Sequence, residues 1–87
     1  MHKIVFTKTY SKHFAKFNAK EQKQIIKALN RLAENPAHPA LRTKRIKGHP
    51  KVWECSANMD IRILWQYEEE LIILALDVGH HDILNRH

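Results

Sequence analysis

The apolar positions of this chain change their spacing twice between its first residue and its last. Residues 2–6, "HKIVF", are short and β-branched, which predicts a strand. From Thr9 the spacing lengthens: Phe14 and Phe17 lie three apart, with Ser11 as the expected N-cap. A longer helical stretch follows in "NAKEQKQIIKALNRLAEN". Asn18 caps it and Glu21 stands three residues on, the capping-box arrangement. Ile25, Ile26, Leu29 and Leu32 then recur on one face, while Lys20, Lys23, Lys27 and Arg31 fall largely on the other. "NPAHP" at residues 35–39 ends the helix, because a proline disfavours helical geometry in the residue before it.

Beyond residue 40 the period becomes two. "LRTKRIKG" (residues 41–48) and "KVWECSA" (residues 51–57) read as extended stretches, the first ending at Gly48. "DIRILWQY" alternates Ile61, Ile63 and Trp65 with Arg62, Leu64 and Gln66. Asn58 and Met59 form a tight connection before it, and Glu68, Glu69 and Glu70 form a solvated tip after it. "LIILALDV" (residues 71–78) is apolar at nearly every position, the mark of a strand covered on both faces. The expected fold is α+β. An N-terminal strand and a helical hairpin precede a three- to four-stranded, mainly antiparallel sheet, all in one domain spanning residues 1–87.

Composition narrows the setting. At 87 residues the chain builds one modest core, hiding roughly 60–65% of its unfolded surface. One cysteine, Cys55, excludes an internal disulfide framework, and no CxxC pair marks structural zinc. The N-terminus is too short and polar for a signal peptide, and no run approaches the roughly 20 apolar residues of a spanning helix. A cytoplasmic protein without membrane contact is expected. Fifteen Lys and Arg against nine Asp and Glu give a net charge of +6, which favours a polyanionic partner, nucleic acid or an acidic protein segment.

Four features could carry chemistry. The basic segment at residues 42–51 holds Arg42, Lys44, Arg45, Lys47 and Lys51 with His49 and no acid. On an extended strand Arg42 and Lys44 face one way and Arg45 and Lys47 the other. They could grip a phosphate backbone or guard a sheet edge against aggregation. Trp53 and Trp65, each in a predicted strand, could stack on bases or simply fill the core. Asp60 and Arg62, two apart, share a strand face, so they form either a structural ion pair or a phosphate brace. Finally, "DVGHHDIL" places His80 and His81 after Gly79. Adjacent histidines on an extended strand point apart, which argues against a shared metal ion. One imidazole near a phosphate and a cation suffices for acid–base work.

In this order the residues resemble the RelE/ParE superfamily, toxins of bacterial type II toxin–antitoxin systems. "HPALRTKRIKGHPKVWECSANMDIRILWQY" and "LIILALDVGHHDIL" carry the likeness, matching the superfamily's L-x-x-K-x-L-K-G and N-x-D-Y-R-I-L strands and its V-G-H-H/R-D-x-x-Y ending. The resemblance implies a ribosome-dependent mRNA endoribonuclease acting in the A site without metal or cofactor. A ParE branch poisons DNA gyrase instead, a cognate antitoxin silences either kind, and a weakly active or non-catalytic antitoxin-binding member is the remaining alternative. It also implies site roles. Arg62 would brace the scissile phosphate. His81 would protonate the leaving 5′-oxygen, with His80 as its alternate. Asp60 would orient the histidine or assist proton transfer, as in the YafQ-like branch. Arg42, Lys44, Arg45, Lys47, His49 and Lys51 would hold RNA. Glu54 and Ser56 stand where RelE itself carries lysines, and Leu84 where the superfamily ends on an aromatic, so no general base is assigned.

Overall fold

Thr7, rather than Ser11, begins the first helix. A computed structural model describes residues 1–86. In it β1 (Lys3–Phe6) runs directly into α1 (Lys8–Phe14). The Thr7 hydroxyl accepts from the Tyr10 N–H at 3.0 Å and lies 2.8 Å from the Leu76 carbonyl, to which it donates. One side chain therefore caps the helix and ties it to a distant strand, leaving Ser11 inside the helix. The second helix, α2 (Ala19–Glu34), starts as its sequence predicts. Asn18 Oδ1 accepts from the Glu21 N–H at 2.8 Å, and Glu21 Oε1 accepts from the Asn18 N–H at 3.0 Å. Ile25, Leu29 and Leu32 are buried with Ala28, but Ile26 is 47% exposed, one 100° step off the packed face.

A short 3-10 turn, Pro39–Leu41, leads to β2 (Lys44–Arg45), β3 (Trp53–Ser56), β4 (Ile61–Glu69) and β5 (Ile72–His80). The five strands order as β1-β5-β4-β3-β2, with β1 parallel to β5 and the other neighbours antiparallel. The N-terminal strand thus joins the sheet beside the last one, and the mainly antiparallel α+β fold holds. The parallel pairing needs a long crossover, which the helical hairpin supplies.

This placement makes β5 an interior strand, which accounts for its near-continuous apolar run. Its Ile73, Ala75 and Val78 join the main core with Tyr10, Ile25, Leu29, Leu32, Ile61, Ile63 and Trp65 under the helices. On the opposite face Leu76 packs with Ile46, Leu64, Ile83, Val52 and Leu84. Ala75 and Val78 share a face although they are three apart, because the register slips there. Leu64 pairs Asp77 and Trp65 pairs Ala75, so Leu76 is the extra residue of a β-bulge.

A buried carboxylate secures the layers. The Asp77 carboxylate, 1% exposed, bonds His13 Nδ1 at 2.5 Å and accepts from the Val78 N–H at 2.8 Å, pinning α1 to β5. Cys55 is fully buried, and burial, then the charge of Glu54, pushes its thiol pKa up to about 12. A raised pKa keeps the unreactive thiol form in the folded state, and stability is lost as pH rises above the free-thiol value of about 8.5. Native protein at pH 8 should therefore leave Cys55 unmodified by a thiol reagent such as DTNB, with full labelling in denaturant. Rapid labelling of the folded chain would contradict this burial.

Candidate active site

The β3–β4 turn is built by Asn58. Its Oδ1 accepts from the N–H groups of Asp60 and Ile61 at 2.8 and 2.7 Å, and its Nδ2 donates to Gln24 Oε1 of α2 at 2.8 Å. Arg62 closes the turn from the strand side. Its Nη1 donates to the Asn58 carbonyl at 2.8 Å and to the Ile61 carbonyl at 3.3 Å, and its Nε lies 3.8 Å from Glu54 Oε1. The expected Asp60–Arg62 pair is not formed. The two-residue spacing places both near one sheet end, but Asp60 precedes the strand and turns toward the end of β5.

Glu54 is the side chain the sequence reading undervalued. It is 5% exposed on β3, with Lys44 Nζ of β2 at 3.5 Å and Arg62 of β4 on its other side. A buried carboxylate between two cations is how a low-dielectric face holds charge. The signal available in the sequence was an acid at an inward strand position between two strands bearing cations.

Asp60 gathers the tail histidines. Its Oδ2 bonds His80 Nδ1 at 2.5 Å, while its Oδ1 bonds His81 Nδ1 at 2.7 Å and accepts from the His81 N–H at 3.3 Å. The expectation that the two rings diverge is corrected. Strand alternation applies only while the strand continues, and β5 ends at His80, so His81 folds back in the following turn. The hydrogen bonds from His81 and then His80 hold the Asp60 carboxyl well below the usual carboxylate range. With each Nδ1 held by the carboxylate, Nε2 is the nitrogen left for chemistry on both rings. His80 also packs on Phe17 at 5.4 Å between ring centroids. Arg62 pairs Gly79 across the ladder, so its backbone lies at the same end of β4 and β5 as Asp60 and the two imidazoles, while its guanidinium faces Glu54 and the turn carbonyls. Among the described residues, no group of three His, Cys, Asp or Glu is placed to hold a metal ion.

The basic segment does not form one long strand. Only Lys44 and Arg45 are β; Arg42 is left-handed at φ 49°, and Lys47, His49 and Lys51 lie in the turn region around Gly48, whose φ is 85°. The predicted opposition of Arg42 and Lys44 to Arg45 and Lys47 therefore fails outside the two β residues, where Lys44 meets Glu54 and Arg45 covers Trp53 at 4.7 Å. All six of Arg42, Lys44, Arg45, Lys47, His49 and Lys51 are nonetheless exposed. Trp65 is 1% exposed and belongs to the core, which removes it as a stacking platform. Trp53 is half-buried, stacked on Trp65 at 5.9 Å and covered by Arg45, and borders a cavity of about 410 Å³ with Tyr67 and Arg42.

A small helix-backed sheet that carries an arginine, two imidazoles sharing one carboxylate and a rim of exposed cations defines the structural class of this protein. Comparison with known proteins gives the class its family. The family model described as "ParE toxin of type II toxin-antitoxin system, parDE" matches residues 4–84, and the chain belongs to this family, within the RelE/ParE superfamily of toxins. No curated protein matches it in sequence. Among solved structures, a YoeB/ParE toxin from Agrobacterium tumefaciens aligns with TM-score 0.78 at 13% identity, covering 91% of this chain and 98% of the other. YafQ from Escherichia coli aligns with TM-score 0.77 at 10% identity, covering 97% and 98%. The E. coli RelBE toxin–antitoxin complex gives TM-score 0.72 at 20% identity, covering 91% and 95%. At these identities the structures establish a shared fold. No helix among the described residues is long and apolar enough to cross a membrane.

Proposed function

We propose that this toxin is a ribosome-dependent, metal-independent mRNA endoribonuclease of the cytoplasm. The observation that carries the reading is the Asp60 carboxylate holding Nδ1 of both His80 and His81 at the strand end that bears Arg62. In the proposed reaction the ribose 2′-oxygen attacks the adjacent phosphorus, the bond to the 5′-oxygen breaks, and a 2′,3′-cyclic phosphate forms. The nucleophile is already attached to the substrate, so the protein need only align the atoms, bear the added charge and move two protons. Arg62 braces the phosphate, and Glu54, through its contact with the Arg62 Nε, is a positioning residue. His81, the more exposed ring, donates its Nε2 proton to the departing 5′-oxygen. His80 is the second imidazole, available to take the 2′-hydroxyl proton. Arg42, Lys44, Arg45, Lys47, His49 and Lys51 hold the message and the ribosomal A site. A cognate antitoxin is the proposed protein partner, as the RelBE complex pairs toxin with antitoxin.

The family's ParE description favours a second reading, interference with DNA gyrase. Primer extension on mRNA translated in a purified system separates the two. The first reading expects new 5′ ends that appear only with ribosomes and toxin together. Uncut message, with loss of gyrase supercoiling activity on adding toxin alone, would establish the second.

A further inference from the structure

The His13–Asp77 pair takes no part in the proposed chemistry, yet a short chain of contacts joins it to that chemistry. Asp77 Oδ1 bonds His13 Nδ1 at 2.5 Å in the last turn of α1. The His13 carbonyl accepts from the Lys16 N–H at 3.1 Å, and the Phe14 carbonyl accepts from the Phe17 N–H at 3.1 Å. Gln22 Nε2, near the start of α2, also donates to the Phe14 carbonyl at 3.1 Å. These bonds fix the turn between the helices and set the Phe17 ring 5.4 Å from the His80 ring, tilted by 48°. His80 stands three residues beyond Asp77 on β5, so the contacts close a loop around Val78 and Gly79. His13, Phe17, Val78, Gly79 and His80 line one cavity of about 200 Å³.

Docking α1 does not by itself call for a polar latch. An apolar pair of similar volume holds two layers together without the cost of desolvating a carboxylate. What the His13–Asp77 bond adds is direction, because a hydrogen bond weakens steeply off its axis where an apolar contact can slide. That direction passes to Phe17, four residues on. His80 is thereby held from two sides: Asp60 takes its Nδ1 at 2.5 Å, and Phe17 lies against the ring. The side chain is 56% exposed, so the Asp60 bond alone would leave the ring free to tilt in solvent. We infer that His13, Asp77 and Phe17 are positioning residues that aim the His80 Nε2, the nitrogen proposed to take the 2′-hydroxyl proton. The catalytic consequence rests on the proposed cleavage, whereas the contact itself is measured without any cleavage.

The test records the imidazole ring-proton resonances of the full-length protein by NMR, those of His80 being assigned by their loss in His80→Gln. The Phe17 ring should displace them from the position of a freely solvated histidine. Phe17→Leu, which keeps an apolar side chain against the core, should return them toward that position. His13→Ala should do the same, while His13→Asn, whose amide nitrogen can stand in for Nδ1, should restore the wild-type position. The His38 resonances, in the turn after α2, should stay in place and show that the variants are folded. His80 resonances unmoved by Phe17→Leu or by a folded His13→Ala would overturn the inference, and Phe17→Leu decides it should His13→Ala not fold. On translated mRNA, Phe17→Leu should lower kcat by about 10- to 100-fold, the cost of a misplaced reacting group. KM should not change, because the substrate is still held. An unchanged kcat beside a lost ring contact would also overturn the role. Absence of cleavage by the wild type, with His80 resonances that still follow Phe17 and His13, would refute the proposed reaction and support the clamp.

Discussion

Arg62→Ala should abolish growth arrest on expression and lower mRNA cleavage by about 10²–10³-fold, the usual loss when one preorganised charge is removed from a phosphate in transit. The same substitution should also cost stability. Arg62 donates to two turn carbonyls and faces a 5%-exposed Glu54, which would keep only its contact to the exposed Lys44. Leaving a buried charged acceptor with fewer partners costs about 2 kcal/mol, readable as an earlier urea midpoint. Arg62→Lys separates the two roles. A lysine can offset the charge of Glu54 and recover stability, but it lacks the planar fork that grips two phosphate oxygens, so cleavage should stay low. Full toxicity in a folded Arg62→Ala protein would remove Arg62 from the chemistry.

His81→Ala should leave the fold intact, since the ring is 72% exposed, and should lower cleavage by about 10²–10⁴-fold, the range for loss of a general acid. The pH profile distinguishes this role from a passive one. Asp60 is held ionised by its histidines. Its depressed pKa means that its grip is complete above the ordinary carboxylate value of about 3.9 and is lost only as pH falls toward the lowered one. Changes in cleavage between pH 5 and 8 therefore do not arise from Asp60. Wild-type activity should carry an alkaline limb, the signature of a group that must hold a proton to act. In His81→Ala that limb should vanish from the residual rate. An unchanged limb would transfer the acid role to His80, and His80→Ala would then show the larger loss.

Much of this arrangement was legible in the residues. Asn18 and Glu21 announced the helix start because a capping box is local: both partners lie within one turn. The alternation of Ile61, Ile63 and Trp65 put those side chains in the core because the strand period is set by the backbone itself. The near-continuous apolar run at the C-terminal end correctly marked an interior strand, and the strand motifs marked the superfamily. Periodicity, however, states which way a side chain faces, not what it meets. Arg62 was matched with Asp60 by spacing, whereas its carboxylate neighbour, Glu54, is eight residues back on the adjoining strand.

By itself, then, the sequence determined the α+β class, the order of helices and central strands, the basic balance and the superfamily. Only the tertiary structure decided that Thr7 caps the first helix while bonded to β5, and that a bulge at Leu76 brings Val78 into the core. It also decided that β5 stops at His80, so that two histidines expected to diverge close on one carboxylate. The division has one physical cause. Caps and strand periods are settled by neighbours within a few residues. Strand ends, register slips and ion-pair partners depend on contacts between different strands and helices, from eight to 69 residues apart, which no local pattern encodes.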